Sequence, residues 1–281
     1  MDDSRNFNEC LNECFDELFE RWSSCVGPAR LHLLQPLRGE LGQPATLDDD
    51  RIRWAMEPLS WIIDRAAVAG IPADRWGTTR AFTATGNARF GWNPEPLTPE
   101  GERGFSEIDA LHLLARDIGA IERAGSRDTV TWSGRVWLGH PARLWRAAAR
   151  TLTTRGGFFA SQCELVLASL LQQRLLSEMD AGVRLCSALI EAVGGEDYLN
   201  RVDETGEPRG EVVSELIAVG MQMTRTLGNG LRMFDQNLHR EELRPWLDQG
   251  GRALAVEALR ASVELGEFAS QMGAPLEGAW N

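Results

Sequence analysis

Residues 106–120 read SEIDALHLLARDIGA, and residues 214–228 read SELIAVGMQMTRTLG. Each stretch begins with Ser-Glu, places apolar residues at helical spacing and reaches a glycine at or next to its end. In the first stretch, Ser106 and Asp109 have the spacing of a capping box. One face of that stretch is apolar and contains Ile108, Leu111, Ala115 and Ile118. The sequence therefore predicts two related helices, one in each half of the chain.

A strand pair is predicted directly after the first of these helices. Residues 120–132 contain two short runs, AIERAG and DTVTW, that are separated by turn residues. A further apolar helix is predicted from Pro141 to Leu152. Helices followed by a hairpin are the order of a winged helix-turn-helix domain, in which residues 106–119 take the place of the recognition helix.

The later half of the chain repeats this order with different spacing. Residues 160–193 are predicted to form one or two apolar helices, and GLRMFD and ELRPWL can pair as a hairpin after Gly228. Gly134-Arg135 is echoed by Gly251-Arg252, each just before a predicted helix. We therefore predict a mainly α chain with short β-hairpins and tandem winged-helix-like domains. The predicted units are an N-terminal helical segment (1–50), a first domain (51–155) and a second, more helical domain (156–281).

The N-terminal segment is predicted to contain a docked helix over residues 7–25, FNECLNECFDELFERWSSC. Cys10, Cys14 and Cys25 share its apolar face with Trp22. Thiolates are zinc ligands, but this spacing is not that of a zinc knuckle. We therefore expect these cysteines to be buried and free of metal.

A longer helix is predicted after Asp48–Asp50, whose carboxylates can cap it, and it should end by Gly70. Residues 71–105 are rich in Gly, Pro, Thr and Asn, which is typical of a loop, with a short helix expected around residues 82–90. His112, within the first quoted stretch, is expected to be a core or surface residue without a catalytic role.

Composition excludes several classes of enzyme. All 29 basic residues of the 281 are arginine, so the lysine of Walker loops, Schiff-base enzymes and protein kinases is missing. Gly-x-Ser-x-Gly, His-Glu-x-x-His and glycine-rich dinucleotide motifs do not occur. We therefore expect a protein that is not an enzyme and that uses no cofactor. The lack of a membrane-length apolar run, the acidic N-terminus and five cysteines predict a cytoplasmic location with no membrane partner.

Charge is unevenly distributed in a chain of net charge −12. Residues 65–155 carry 13 arginines against 9 acids, whereas the flanking thirds are acidic. The helix 141–152 places Arg143, Arg146 and Arg150, here called the basic stripe, on the face opposite Leu144. No acid occurs between Trp132 and Arg155. Arginines can neutralise phosphates. The candidate nucleic-acid-binding residues are Arg116, Arg135, Arg143, Arg146, Arg150 and Arg155.

The runs SEIDALHLLARDIGAIERAG, VTWSGRVWL, HPARLW and WLDQGGRALAVEALRA resemble a group of uncharacterised actinobacterial plasmid-type proteins. Four features recur in that group: a helix ending in Leu-Gly, a strand pair, a Thr-x-x-Gly-Arg step and a Pro-x-x-Leu-Trp helix. The resemblance covers roughly residues 56–155 and, more weakly, 214–262. It implies a helical, winged-helix-like fold and supplies no activity.

Two functions follow as hypotheses. The first is a DNA-binding or transcription-regulator-like protein whose basic stripe contacts the phosphate backbone. The alternative is a protein–protein interaction adaptor that keeps the winged scaffold, does not bind DNA and uses its acidic terminal regions against a basic partner. The helix at 106–119 is a poor base reader, because Glu107, Asp109 and Asp117 accompany only one arginine.

Overall fold

The computed structural model describes residues 14–43, 45–74, 77–92, 106–154, 157–172, 226–233 and 247–271. The helices are α1 (14–23), α2 (Pro28–Leu34), α3 (Arg38–Leu41), α4 (Asp49–Val68), α5 (Arg80–Phe90), α6 (Glu107–Asp117), α7 (Trp132–Leu138), α8 (Pro141–Thr154), α9 (Gly157–Leu171) and α10 (Gln249–Gln271). A 3-10 turn, Gln35–Leu37, and a π-helical turn, Thr226–Gly230, accompany them. The strands are β1 (Ile71–Asp74), β2 (Gly77–Thr78), β3 (Ile121–Ala124) and β4 (Arg127–Val130).

The predicted class, mainly α with short hairpins, is confirmed. The strands form one antiparallel sheet in the order β2-β1-β4-β3. The predicted hairpin is β3-β4, in register from Ile121 opposite Val130 to Ala124 opposite Arg127. Its tight turn contains Gly125 at φ +63°, a conformation that favours glycine.

The strands β1 and β2 were not predicted, because their residues lie in the stretch assigned to a loop. β1 contains a proline and is too short to show an alternating pattern. It pairs with β4, so that Ile71 lies opposite Asp128 across a long sequence separation. Only the tertiary structure brings these segments together. The short helix expected around residues 82–90 is confirmed as α5.

The long helix α4 begins and ends as predicted. The Asp48 side chain accepts a hydrogen bond from the backbone N–H of Arg51 (2.7 Å), while Asp49 and Asp50 lie in the first turn. The helix continues through Pro58 and ends before Gly70, which has φ +69°. It packs against α6, α7, α8 and β4 and so forms the centre of the fold.

The expected burial of the N-terminal cysteines is wrong for the two that are described. α1 buries Phe15, Phe19 and Trp22, whereas Cys14 and Cys25 are exposed. Aromatic rings remove more apolar area from water than thiols do, so the helix is turned to bury the rings. Cys10 lies outside the described residues.

One hydrophobic cluster includes buried residues from α1 to α10. α8 and α10 pack along each other, and both helices bury small residues, among them Ala148, Ala149, Ala255 and Ala258. The Thr153 hydroxyl on α8 donates to the backbone carbonyl of Ala258 on α10 (2.5 Å). Small side chains allow two helices to approach closely, and this contact joins the first half of the chain to its end.

A buried ion pair connects three helices. Arg30 on α2 donates from Nε and Nη2 to the two carboxylate oxygens of Glu164 on α9, at 2.5 and 2.6 Å. Arg30 Nη2 also donates to the hydroxyl of Ser262 on α10 (2.6 Å), and that hydroxyl contacts Glu164. All three side chains are buried. The bidentate geometry satisfies both charges inside the core.

A tight corner precedes α7. Gly119 adopts φ +72°, and the carbonyl of the next residue, Ala120, accepts the backbone N–H of Thr131 (3.0 Å). The Thr131 hydroxyl caps α7 by accepting the backbone N–H of Gly134 (3.0 Å). A Cβ on Gly134 would collide with the Ala120 carbonyl, whose carbon would be 2.9 Å away. Only glycine fits this third position of the helix.

The same corner recurs before α10. Arg232 has φ +51°, and the carbonyl of the next residue, Met233, accepts the backbone N–H of Asp248 (3.0 Å). The Asp248 carboxylate caps α10 by accepting the backbone N–H of Gly251 (2.7 Å). A Cβ on Gly251 would collide with the Met233 carbonyl.

The repeated corner explains why both halves of the chain contain a Gly-Arg step. It also changes the interpretation of that step. Each step lies in the first turn of a helix, α7 or α10, instead of before the helix as predicted. In the repeated corner, Arg232 occupies the place that Gly119 occupies before α7. Of the second predicted hairpin, only residues 230–233 and 247 are described, and most of the second quoted stretch lies outside the described residues.

Candidate interaction surfaces

The helix α6 begins with the predicted capping box. The Ser106 hydroxyl accepts the backbone N–H of Asp109 (3.2 Å) and donates to that side chain (2.8 Å). Thr78 of β2 donates to the other Asp109 carboxylate oxygen (2.7 Å). A residue predicted only as a cap therefore also fixes β2 against α6.

The outward side of α6 is covered by residues 226–230. The side-chain amide of Asn229 donates to the Glu107 carboxylate (2.9 Å) at the start of the helix. Gly230 lies over Leu111, so that an added Cβ would be 3.1 Å from its Cδ2. Of the eleven residues of α6, only Arg116 is exposed. A helix that enters the major groove needs several exposed side chains to reach base edges.

His112 on α6 is part of a buried polar cluster with the hairpin β3-β4. Its Nε2 lies 2.7 Å from a carboxylate oxygen of Asp128, and Arg123 Nε donates to the other oxygen (2.6 Å). Both His112 and Asp128 are buried. Burial lowers the pKa of His112 below its ordinary value, although Asp128 acts in the opposite direction. The cluster connects helix and hairpin, in agreement with a core role.

This cluster predicts a pH-dependent stability. The unfolded chain binds a proton at His112 near pH 6.5, whereas the folded chain binds it only at lower pH. The contribution of His112 to the free energy of unfolding is therefore fully present above pH 6.5. It decreases as the pH falls, by at most ~1.4 kcal/mol per pH unit. Urea unfolding of the parent and of His112→Gln at pH 7 and pH 5 measures this slope. The variant should be less stable at both values but show a smaller loss, and parallel curves would contradict the assignment.

The basic stripe on α8 is only partly free. Leu144, opposite the stripe, is buried as predicted, and Arg143 and Arg146 are exposed. Arg150 is half-buried and pairs with Glu264 of α10 (2.7 Å). Arg155 lies outside the described residues. The structure thus leaves two of the three helical arginines, Arg143 and Arg146, exposed.

The acids of α10 border this stripe. Glu257 lies 3.8 Å from Arg146 Nε and 3.6 Å from Arg150 Nη1. Burial raises the pKa of Glu257, while the two arginines act against that shift. The stripe was predicted to lie beside a phosphate backbone, but α10 supplies carboxylates along one edge of it. These neighbours weaken its attraction for any other anion.

The first turn of α7 displays a feature that the sequence analysis missed. Trp132 is 79% exposed and is the most exposed large hydrophobic side chain among the described residues. Arg135, one turn later, is exposed as well. Gly134 faces inward against the corner, which turns Trp132 to the opposite side. Residues 132, 135 and 139 lie on one face of a helix, with inward-facing residues between them. This spacing was the signal in the sequence that this face is exposed.

The described residues form no candidate metal site, since no group of three or more of their His, Cys, Asp or Glu side chains could hold a metal ion. Burial raises the pKa of the Cys163 thiol, which makes a poor nucleophile of it. None of the helices described is both long and apolar enough to cross a membrane.

The chain matches no protein-family model, and comparison with curated proteins and with solved structures finds no match either. The covered helix α6, the partly neutralised arginine stripe and the exposed Trp132 are therefore the features from which a function can be argued.

Proposed function

We propose that this protein is a protein–protein interaction adaptor on a winged-helix-like scaffold and that it does not read DNA bases. The covering of α6 carries this proposal. The helix in the recognition position contacts α4, α5 and residues 226–230, and it exposes fully only Arg116. Base readout needs a row of side chains at the groove, which this surface does not offer. The net charge of −12 also opposes attraction to DNA.

The scaffold itself is part of the proposal. The order α4, β1, α5, α6, β3, β4, with β1 beside β4, supports a winged helix-turn-helix domain between residues 49 and 130. The repeated corner before α7 and α10 supports a tandem arrangement in which the second half descends from the same unit. The element order also agrees with the resemblance to the actinobacterial plasmid-type group, which we keep as a proposal.

A second candidate, DNA binding without base readout, is favoured by one observation. Arg143 and Arg146 are exposed on one helical face, and the chain contains no acid from residue 129 to residue 163. Such a face can contact phosphates in any sequence. Because Arg150 already pairs with Glu264, this face offers fewer contacts than the stripe predicted from sequence.

A duplex-retention assay over a salt series separates the two candidates. The adaptor proposal expects no retention of a mixed-sequence duplex from about 50 to 200 mM salt. It also expects the variant Arg143→Ala/Arg146→Ala/Arg150→Ala to behave like the parent. DNA binding instead predicts affinity that falls steeply with salt, with a slope flattened by ~0.9 for each phosphate contact that the variant loses.

Fold integrity is checked by thermal unfolding of the same triple variant. Exposed substitutions change stability by less than ~0.5 kcal/mol, but removal of Arg150 also breaks its pair with Glu264. Arg150→Ala alone is therefore the matched control. Salt-dependent retention that the triple variant loses and Arg150→Ala keeps would overturn the adaptor proposal in favour of DNA binding.

A further inference from the structure

We infer that Trp132, Arg135 and Arg143, here called the Trp132 face, dock an acidic segment of a partner protein that carries an apolar side chain. This inference rests on the proposed adaptor function and names the chemistry of its partner. Trp132 and Arg135 are one turn apart on α7, and the exposed residues Gly139 and His140 connect them along the chain to Arg143.

The exposure of Trp132 is the first support. A tryptophan with 79% of its surface in water forgoes the burial that large apolar side chains normally gain. The scaffold could have turned it inward, as it does with Trp22 and Trp145, which are buried. Trp and Arg are the residues most enriched among those that dominate binding energy at protein interfaces. An exposed Trp beside exposed Arg is therefore the composition of a binding site.

The charge of the face is the second support. Neither Arg135 nor Arg143 pairs with an acid among the described residues, whereas other surface arginines, such as Arg38, Arg53 and Arg252, do pair. The chain has no acid between Asp128 and Glu164. In a protein of net charge −12, this face is therefore locally positive and complementary to carboxylates.

A short acidic segment fits the face better than a nucleic acid does. Two unpaired arginines would neutralise about two phosphates, which gives a salt slope near −1.8 on duplex DNA and little affinity. The carboxylates Glu257 and Glu264 beside Arg146 and Arg150 would repel a phosphate backbone that ran on along α8. A peptide needs only a local match, with one apolar side chain against Trp132 and carboxylates against the arginines.

The test is a selection from a library of random displayed peptides on the full chain, with counter-selection on the double variant Trp132→Ala/Arg143→Ala. We expect enrichment of acidic peptides that contain an aromatic or aliphatic residue. For the best synthetic peptide, Trp132→Ala should weaken binding by about 30-fold, the effect of a dominant interface residue. Arg135→Ala and Arg143→Ala should each weaken it about threefold to tenfold, and less at high salt.

Control variants separate loss of the face from loss of the fold. Trp132→Phe should keep most of the binding because it keeps an aromatic ring. Arg53→Ala, an exposed arginine on α4, should leave it unchanged. Trp132→Ala itself should unfold at nearly the parent temperature, since the side chain is exposed.

Three results would overturn the inference. They are no enrichment over counter-selection, enrichment of basic peptides, and selected peptides that bind Trp132→Ala as well as the parent. A short oligothymidylate is tested in parallel, and binding that Trp132→Ala abolishes would assign the face to single-stranded nucleic acid instead. A failure of the adaptor proposal gives a different result. In that case the protein retains duplex DNA in a salt-dependent way that requires Arg146 and does not require Trp132.

Discussion

Glu164→Ala is expected to lower the free energy of unfolding by about 3–5 kcal/mol, the largest effect of a single substitution that we predict. Removal of the carboxylate leaves the Arg30 guanidinium charged inside the core, where it is only 9% exposed. Ser262 remains as an acceptor, but a hydroxyl cannot balance the charge. Urea unfolding followed by circular dichroism at pH 7 measures the change.

Two companion variants test the cause. Glu164→Gln keeps the shape and one acceptor oxygen but not the charge, so it should also be strongly destabilised. Arg30→Met/Glu164→Leu removes both charges and should recover most of the lost stability, because a well-packed apolar pair can replace a buried ion pair. Equal destabilisation of the double variant and Glu164→Ala would show that packing, and not the imbalance of charge around Arg30, is responsible.

Gly134→Ala and Gly251→Ala are each expected to destabilise the fold by roughly 2–4 kcal/mol, from overpacking of about 1–3 and a weakened backbone hydrogen bond of about 1. The new methyl group would collide with the carbonyl of Ala120 or Met233. That carbonyl cannot move without loss of its hydrogen bond to Thr131 or Asp248. Thermal unfolding should show a large decrease for both variants.

Gly39→Ala is the matched control. Gly39 also lies in a helix, α3, but an added Cβ would meet no atom within 4 Å. Alanine has the higher helix propensity, so this variant should be neutral or more stable by up to ~1 kcal/mol. Similar losses for Gly134→Ala and Gly251→Ala would agree with the repeated corner. A change below about 0.5 kcal/mol at Gly251 would contradict it.

Much of the first half of the fold could be predicted from local sequence. Capping residues such as Asp48 and Ser106 act within a few residues of themselves, and both cap the predicted helices. The hairpin β3-β4 also depends on neighbouring residues and a tight turn. β1 could not be predicted, because its pairing partner is a distant strand and its own residues carry no alternating pattern.

The candidate surface was predicted only in part. The apolar face of α8 follows from its periodicity, so the exposure of Arg143 and Arg146 could be expected. The proximity of Glu257 and Glu264 could not, since α10 lies more than a hundred residues further along the chain. The exposure of Cys14 and Cys25 could not be predicted either. Their helix has apolar residues on adjacent faces, and the sequence does not decide which of these faces is buried.

The sequence by itself determined the helical class, the helix caps and the hairpin, because each depends on residue type and short-range spacing. The tertiary structure alone decided that residues 226–230 cover α6, that α10 lies along α8, and that Arg30 meets Glu164 in the core. These contacts join residues far apart in the chain. They depend on three-dimensional packing, which a one-dimensional pattern does not specify.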